Sequence, residues 1–377
     1  MDWHIPLADV DFDDDEADAV LAVLKSKWLT MGALTQQFEA DFSKLTGIKH
    51  CIAVTNCTAG LHLAMAALGI GAGDEVIVPS LSFVATANAV RYVGARTVFA
   101  DIGSETDLTI APETIEKQIT EKTRAIIVMH YAGYACDIEA IVMLAKEHDL
   151  FVVEDAAHAV GASLNGKSLG GWGDIGCFSF FPNKNMTTAE GGMVTTNDDE
   201  LANKLRLLRS HGMTSLTWDR HQGHAWSYDV TVLGYNYRID EIRSALGITQ
   251  LRKLPKNNEK RRKLTEEYWS RLEELAPTVI LPFRDHAGSP AYHIMPIILP
   301  EGINRARVMD KLKENGIQTS IHYPPIHLFS YYQRDNGNFK LGITELVARR
   351  EVTLPLYPGM NIEDISYIAK SLADAIR

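Results

Sequence analysis

Between residues 49 and about 197, short apolar runs alternate with helix-like segments. The runs fall at 49–55, 74–79, 96–101, 123–130, 150–154, 174–180 and 192–196. Continuous apolar runs of this length are the mark of strands buried on both faces, and alternation with helices predicts a mostly parallel sheet covered on both sides. Upstream, Asp13-Asp14-Asp15-Glu16 opens a stretch in which Ala17, Val20, Leu21, Leu24 and Trp28 follow helical spacing, with Lys25 and Lys27 near its end. Acids at the start and bases at the end suit a helix dipole, so the acidic cluster reads as a helix start, not a metal site. Residues 199–210 form a second amphipathic helix stopped at Gly212. A long loop rich in aromatic and basic residues follows at 213–234, and a charged helical stretch at 239–275. Beyond it the pattern predicts strands at 277–282, 292–299 and 318–323. Helices are predicted at 304–315, 344–350 and 362–376, the last with Asn361 as N-cap.

The chain has 377 residues, and one core seldom grows past about 250–300, so two domains are expected: 1–245 and a smaller α/β unit at 246–377. A hydrophobic content of 46% excludes a disordered chain. The net charge of −11 argues against a nucleic-acid or anionic-membrane surface, so an anionic ligand would need a locally basic pocket. Cys51, Cys57, Cys136 and Cys177 form no CxxC pair and read as buried free thiols, which fits a reducing cytoplasm. No metal site is expected. The acidic start of the chain does not read as a signal peptide, and no apolar run approaches a membrane span.

Three features carry chemistry. The run that includes Ser179-Phe180-Phe181 stops at Pro182, and Lys184 follows before Gly191-Gly192 opens the next run. A lysine held there in apolar surroundings is a candidate Schiff-base nucleophile, because desolvation favours the neutral amine; the alternative is a solvated loop lysine. The run 150–154 ends at Asp155, where open α/β sheets bind ligands; the alternative is a helix N-cap. Paired, the lysine and the carboxylate match what pyridoxal phosphate needs: an amine to hold it and an anion against its pyridine nitrogen. Finally, the run ending at Thr55 leads through Asn56-Cys57-Thr58-Ala59-Gly60 into an Ala/Leu-rich helix. Small residues at a helix start make an anion site suited to the phosphate, to which Ser179 can add a hydroxyl.

These motifs, with Trp28-Leu29-Thr30-Met31-Gly32, Gly73-Asp74-Glu75-Val76-Ile77-Val78-Pro79, Ser82-Phe83-Val84-Ala85-Thr86-Ala87-Asn88, Glu154-Asp155-Ala156-Ala157-His158, Gly234-Tyr235-Asn236-Tyr237-Arg238 and His322-Tyr323-Pro324-Pro325-Ile326-His327, resemble the DegT/DnrJ/EryC1/StrS group of sugar-nucleotide aminotransferases. The resemblance covers nearly the whole chain and departs at Ala189, where relatives usually carry Gly. It implies the aspartate aminotransferase-like fold (type I pyridoxal fold): a large domain with a seven-stranded sheet plus a smaller C-terminal α/β domain. It implies pyridoxal 5'-phosphate on Lys184 with Asp155 at the ring nitrogen, Phe83 stacked on the ring, His158 beside it, and Thr58, Ala59 and Ser179 at the phosphate. Asn236 is expected to reach the phosphate of a neighbouring subunit in a homodimer with shared sites. Substrate candidates are Arg220, His221, Arg238, His322, Tyr323 and His327. The expected reaction moves an amino group from L-glutamate to a nucleotide-linked 4-keto-6-deoxyhexose at C4. Amination at C3 or of a cyclitol ketone is the alternative. A dehydratase, whose relatives replace the lysine with histidine, and a non-catalytic protein of this fold stand further off.

Overall fold

Each of the seven apolar runs forms a strand in the computed structural model, which describes residues 3–215, 223, 227–336 and 339–377. The strands are β1 (His50–Val54), β2 (Glu75–Pro79), β3 (Arg96–Ala100), β4 (Thr123–Met129) and β5 (Phe151–Asp155). A short hairpin, β6 (Ser163–Leu164) and β7 (Lys167–Ser168), precedes β8 (Ile175–Ser179) and β9 (Gly192–Thr196). The sheet order is β1-β9-β8-β5-β4-β2-β3. Only β9 runs against its neighbours, β1 and β8; the other pairings are parallel. The runs are unbroken because both faces of the sheet are covered, and Ile77, Ile126, Ile127 and Val153 are completely buried.

Local chemistry explains the first helix. In α1 (Asp14–Ser26), Asp13 accepts from the Asp15 N–H at 3.0 Å and Glu16 reaches back to the Asp13 N–H at 2.9 Å. This capping box confirms the acidic cluster as a helix start. The next helix, α2 (Ala33–Thr46), has no cap of its own at Gly32. Glu241 supplies it from far along the chain, accepting from the N–H groups of Gly32, Leu34 and Thr35, each at 2.9 Å. Helix α3 (Cys57–Ala67) is buried almost all round, which suits its Ala/Leu composition. Its N-terminus and that of α4 (Ala85–Tyr92) flank the cleft described below.

The helix Glu241–Leu275 runs without a break past the expected boundary at 245–246. Its first part packs on α1 and α2, and it also packs on the C-terminal helix Ile362–Ile376. That last helix begins at Asn361 with a full capping box to Asp364. Of the strands expected in the C-terminal region, only 292–299 forms one, β10 (Met295–Ile298), paired antiparallel with β11 (Glu351–Leu354). The stretch 277–282 is corrected to turns and a bend around one bridge residue, and 318–323 to an irregular segment around another. Ile280 and Ser320 each make an isolated bridge to this pair, at Ile298 and Thr353. Pro277 and Pro282 bound the first segment and Pro324-Pro325 follow the second, and proline cannot donate to a ladder. Residues near the N-terminus return to this region: Ile5 bridges Ile317, and the Leu356 N–H donates to the Leu7 carbonyl. Among the described residues no helix is long and apolar enough to cross a membrane.

Candidate active site

The C-terminal ends of β5 and β8, the N-terminus of α3, the Lys184 loop and the segment 320–323 surround a cleft of about 690 Å3. Thr58, Phe83, Asp155, His158, Ser179, Lys184, His322 and Tyr323 all line it.

Side chains alternate along a strand, so Glu154 and Asp155 face opposite ways. Glu154 accepts from the N–H groups of Gly170, Trp172 and Gly173 at 2.6–2.7 Å and meets His130 Nε2 at 2.9 Å. It ties the 170–173 loop to the back of β5. Asp155 turns to the cleft. Its Oδ2 accepts from the Thr86 hydroxyl at 2.7 Å and its Oδ1 from the Ala157 N–H at 3.2 Å. Thr86 is in turn 2.7 Å from the Ser82 hydroxyl, so α4 orients the carboxylate. No helix follows Asp155, so it has none to cap. Burial pushes its carboxyl up, opposed by the Thr86 and Ala157 hydrogen bonds and by the Lys184 charge.

Lys184 sits on a turn closed by its own N–H to the Phe181 carbonyl at 2.9 Å. Thr187 and Thr188 close the loop behind it: the Thr188 N–H and the Thr187 hydroxyl both donate to the Phe180 carbonyl, at 2.9 and 3.0 Å. Asn185 anchors the next position. Its Nδ2 donates to Asn258 Oδ1 at 2.7 Å and to the Ala291 carbonyl at 2.6 Å, and its Oδ1 meets His293 Nδ1 at 2.8 Å. Desolvation lowers the Lys184 amine to about 8, partly offset by Asp155 and Cys57. A larger fraction is therefore the neutral nucleophile near pH 7 than for a solvated lysine.

Pyridoxal phosphate fits these groups. Phe83 is a large aromatic residue left 55% exposed on the cleft, where a flat ring would cover it. Thr58 and Ser179 bring hydroxyls, and the helix start at Cys57 and Thr58 has N–H groups beyond reach of intrahelical acceptors. The Ala59 N–H is engaged differently, donating to Asn56 Oδ1 at 2.8 Å. His158 Nδ1 accepts from the Ala132 N–H at 3.2 Å, so Nε2 carries the proton and donates to the Tyr323 hydroxyl at 3.0 Å. Burial keeps His158 well below the usual histidine range and therefore neutral.

The remaining expected residues are scattered. Asn236 is exposed and pairs with Ser210, while Arg238 bridges Val54; neither lines the cleft of its own chain. His327 corrects an expectation. It is buried outside the cleft, 2.7 Å from the Ser80 hydroxyl and 3.4 Å from Glu345, because the Ile326 N–H donates to the Ser80 carbonyl and the short 3-10 helix Ile326–Leu328 holds it just past the end of β2. Arg220 and His221 lie outside the described residues. Sequence reasoning overlooked Thr86, Asn185 and His293. The i, i+4 spacing of Ser82 and Thr86 was the one available signal.

Ala189 has φ +65°, in the left-handed region that disfavours any side chain. Ala189→Gly should remove that strain and raise the unfolding free energy by about 1 kcal/mol, measured by urea denaturation. Lower stability would place the strain elsewhere.

A buried strand-end carboxylate facing a desolvated lysine, with an aromatic face and an anion-binding helix start, defines a pyridoxal-phosphate enzyme. The chain belongs to the DegT/DnrJ/EryC1/StrS aminotransferase family, whose model matches residues 10–373. It is 38% identical over 370 residues to the spore coat polysaccharide biosynthesis protein SpsC of Bacillus subtilis, covering 96% of this chain and 95% of the relative. Its structure superposes on Helicobacter pylori PseC, an aminotransferase involved in the biosynthesis of pseudoaminic acid, with a TM-score of 0.92, 32% identity and 99% of each chain covered. It likewise matches the PLP form of the putative sugar aminotransferase Spr1654 of Streptococcus pneumoniae, with a TM-score of 0.91, 28% identity and 98% of each chain covered. It is a pyridoxal-phosphate-dependent aminotransferase with the aspartate aminotransferase-like fold.

Proposed function

We propose that this enzyme aminates a nucleotide-linked 4-keto-6-deoxyhexose at C4, taking the amino group from L-glutamate. The observation that carries the reading is the Lys184 loop, Lys184-Asn185-Met186-Thr187-Thr188-Ala189-Glu190-Gly191-Gly192, which closes against the cleft holding Asp155. This loop resembles that of relatives acting at C4, and Glu190 brings it to the cleft wall. The involvement of SpsC in spore coat polysaccharide biosynthesis and of PseC in pseudoaminic acid biosynthesis supports a sugar substrate. When bound, pyridoxal phosphate supplies the electron sink that allows a proton to leave the carbon next to nitrogen. Lys184 holds the cofactor and, once displaced, its amine moves that proton. Asp155 keeps the ring nitrogen protonated, Thr86 orients Asp155, and Phe83 covers the ring. Residues 320–323 bring His322 and Tyr323 to the cleft from outside the large sheet, which supports a large unit and a C-terminal unit with the site between them, the helix Glu241–Leu275 spanning from one to the other. A displacement of about 1 Å can cost roughly a hundredfold in rate, so loop shape is enough to select the carbon. Incubation with glutamate and a panel of keto-sugar nucleotides, followed by mass spectrometry and NMR of the product, tests the reading. Nitrogen on C3, or turnover only of free ketones, would overturn it.

We also propose a homodimer with shared sites, in a reducing cytoplasm that suits the four free buried cysteines. Asn236 is exposed and away from its own cleft, as a residue serving a partner would be. Mixing inactive Lys184→Ala with inactive Asn236→Ala subunits should restore activity, because one site of the mixed dimer collects both lesions and the other neither. Normal cofactor affinity in Asn236→Ala would remove the contact.

A further inference from the structure

His322 is held on three sides. Its N–H donates to Glu351 Oε2 at 2.8 Å, its carbonyl accepts from the Tyr131 hydroxyl, and its Nδ1 lies 2.8 Å from Thr353 Oγ1. Thr353 Oγ1 is also 2.5 Å from Glu351 Oε1. Carboxyl, hydroxyl and imidazole thus form one chain at the start of β11. Among the described residues nothing bonds the other ring nitrogen, Nε2, of this cleft-lining histidine.

A hydroxyl in such a chain has one proton and passes it one way at a time. With Glu351 ionised, Thr353 must donate to the carboxylate. Its oxygen then accepts from His322 Nδ1–H, and Nε2 is left with a bare lone pair. With Glu351 protonated, the carboxyl donates to Thr353 and Thr353 donates to Nδ1. Nε2 then carries the hydrogen. We infer that Glu351, acting through Thr353, sets whether His322 offers the cleft a hydrogen-bond acceptor or a donor. Glu351 and Thr353 are positioning residues, and which ligand polar group His322 can bind follows the state of the buried carboxyl.

The surroundings place the change in an accessible range. Burial raises Glu351 to about 8, against the hydrogen bonds from Thr353 and the His322 N–H and the nearby Arg305 guanidinium. The phenols of Tyr131 and Tyr323 also face it, and burial holds both in their neutral form. His322 itself faces Lys184, His158 and His293; burial and the Lys184 charge lower it to about 4, so the ring stays neutral while its tautomer changes. Below the Glu351 midpoint Nε2 bears the hydrogen; above it Nδ1 does.

The tautomer belongs to the protein, so its measurement holds whatever substrate the cleft takes. Holoenzyme labelled with 15N-histidine is titrated by NMR, with the His322 ring signals assigned by their loss in His322→Gln. The Nε2 signal should move from a protonated to a bare nitrogen with a midpoint near 8. Thr353→Val, of the same shape but without the hydroxyl, should abolish this movement. Glu351→Gln should do the same, and Thr353→Ser should keep it. In the holoenzyme the Lys184 amine is taken up by the cofactor, and any titration at that end of the cleft does not pass through Thr353, so the valine variant separates the two. One fixed tautomer on both sides of the midpoint in the parent protein, or an unchanged titration in Thr353→Val, would overturn the inference.

Discussion

Lys184→Ala should lose transamination by about a thousandfold or more, because one amine both retains the cofactor and carries the proton. The loss should be chemical and not structural. Lys184 is anchored by main-chain bonds and by its neighbour Asn185, and alanine leaves these untouched. The variant should fold with parental thermal stability and still take up cofactor reversibly, but retain none covalently. In the parent, borohydride reduction followed by peptide mapping should place the cofactor on Lys184. Label on another lysine, with activity surviving in Lys184→Ala, would dismiss the assignment.

Asp155→Ala should lower the rate of the chemical step by about a hundredfold or more while cofactor still binds, since the ring nitrogen loses its anion and the electron sink weakens. A second consequence follows from the geometry. Asp155 is the largest influence holding the Lys184 amine up against desolvation, so its removal should drop that amine further below about 8. The pH dependence of cofactor capture should shift to lower pH with it. Asp155→Asn keeps the shape and the bond from the Thr86 hydroxyl but not the charge, and should be nearly as slow as Asp155→Ala. Near-parental turnover in either variant would leave Asp155 as a structural residue of the cleft wall.

Much of this site is legible in the chain because its two central groups stand at strand ends. A strand buried on both faces is a contiguous apolar run, and ligand chemistry gathers at its C-terminal end: Asp155 is the last residue of β5, and Lys184 stands on the loop that leaves β8. What supports them is not legible. Thr86 lies 69 positions from Asp155, and His293 lies 108 from Asn185. Neither pairing has a local pattern. His322 and His327 look equivalent in one Pro-rich segment, yet one lines the cleft and the other bonds Ser80 just past the end of β2. The strand Glu351–Leu354 escaped notice because it is four residues long and begins with a buried carboxylate.

The sequence by itself determined whatever a short window of chain can settle. That includes the seven sheet strands, the capping boxes at Asp13 and Asn361, and the lysine and aspartate at strand ends. These follow from periodicity and from side chains bonding their own backbone within a few residues. Only the tertiary structure decided where burial and long-range bonds fall. Glu241 caps a helix more than 200 positions away, Ala189 is held at a positive φ, and Glu351 is raised to about 8 beside His322. The physical reason is that desolvation and hydrogen-bond partnership depend on which distant segments are brought together, and a local pattern does not contain that information.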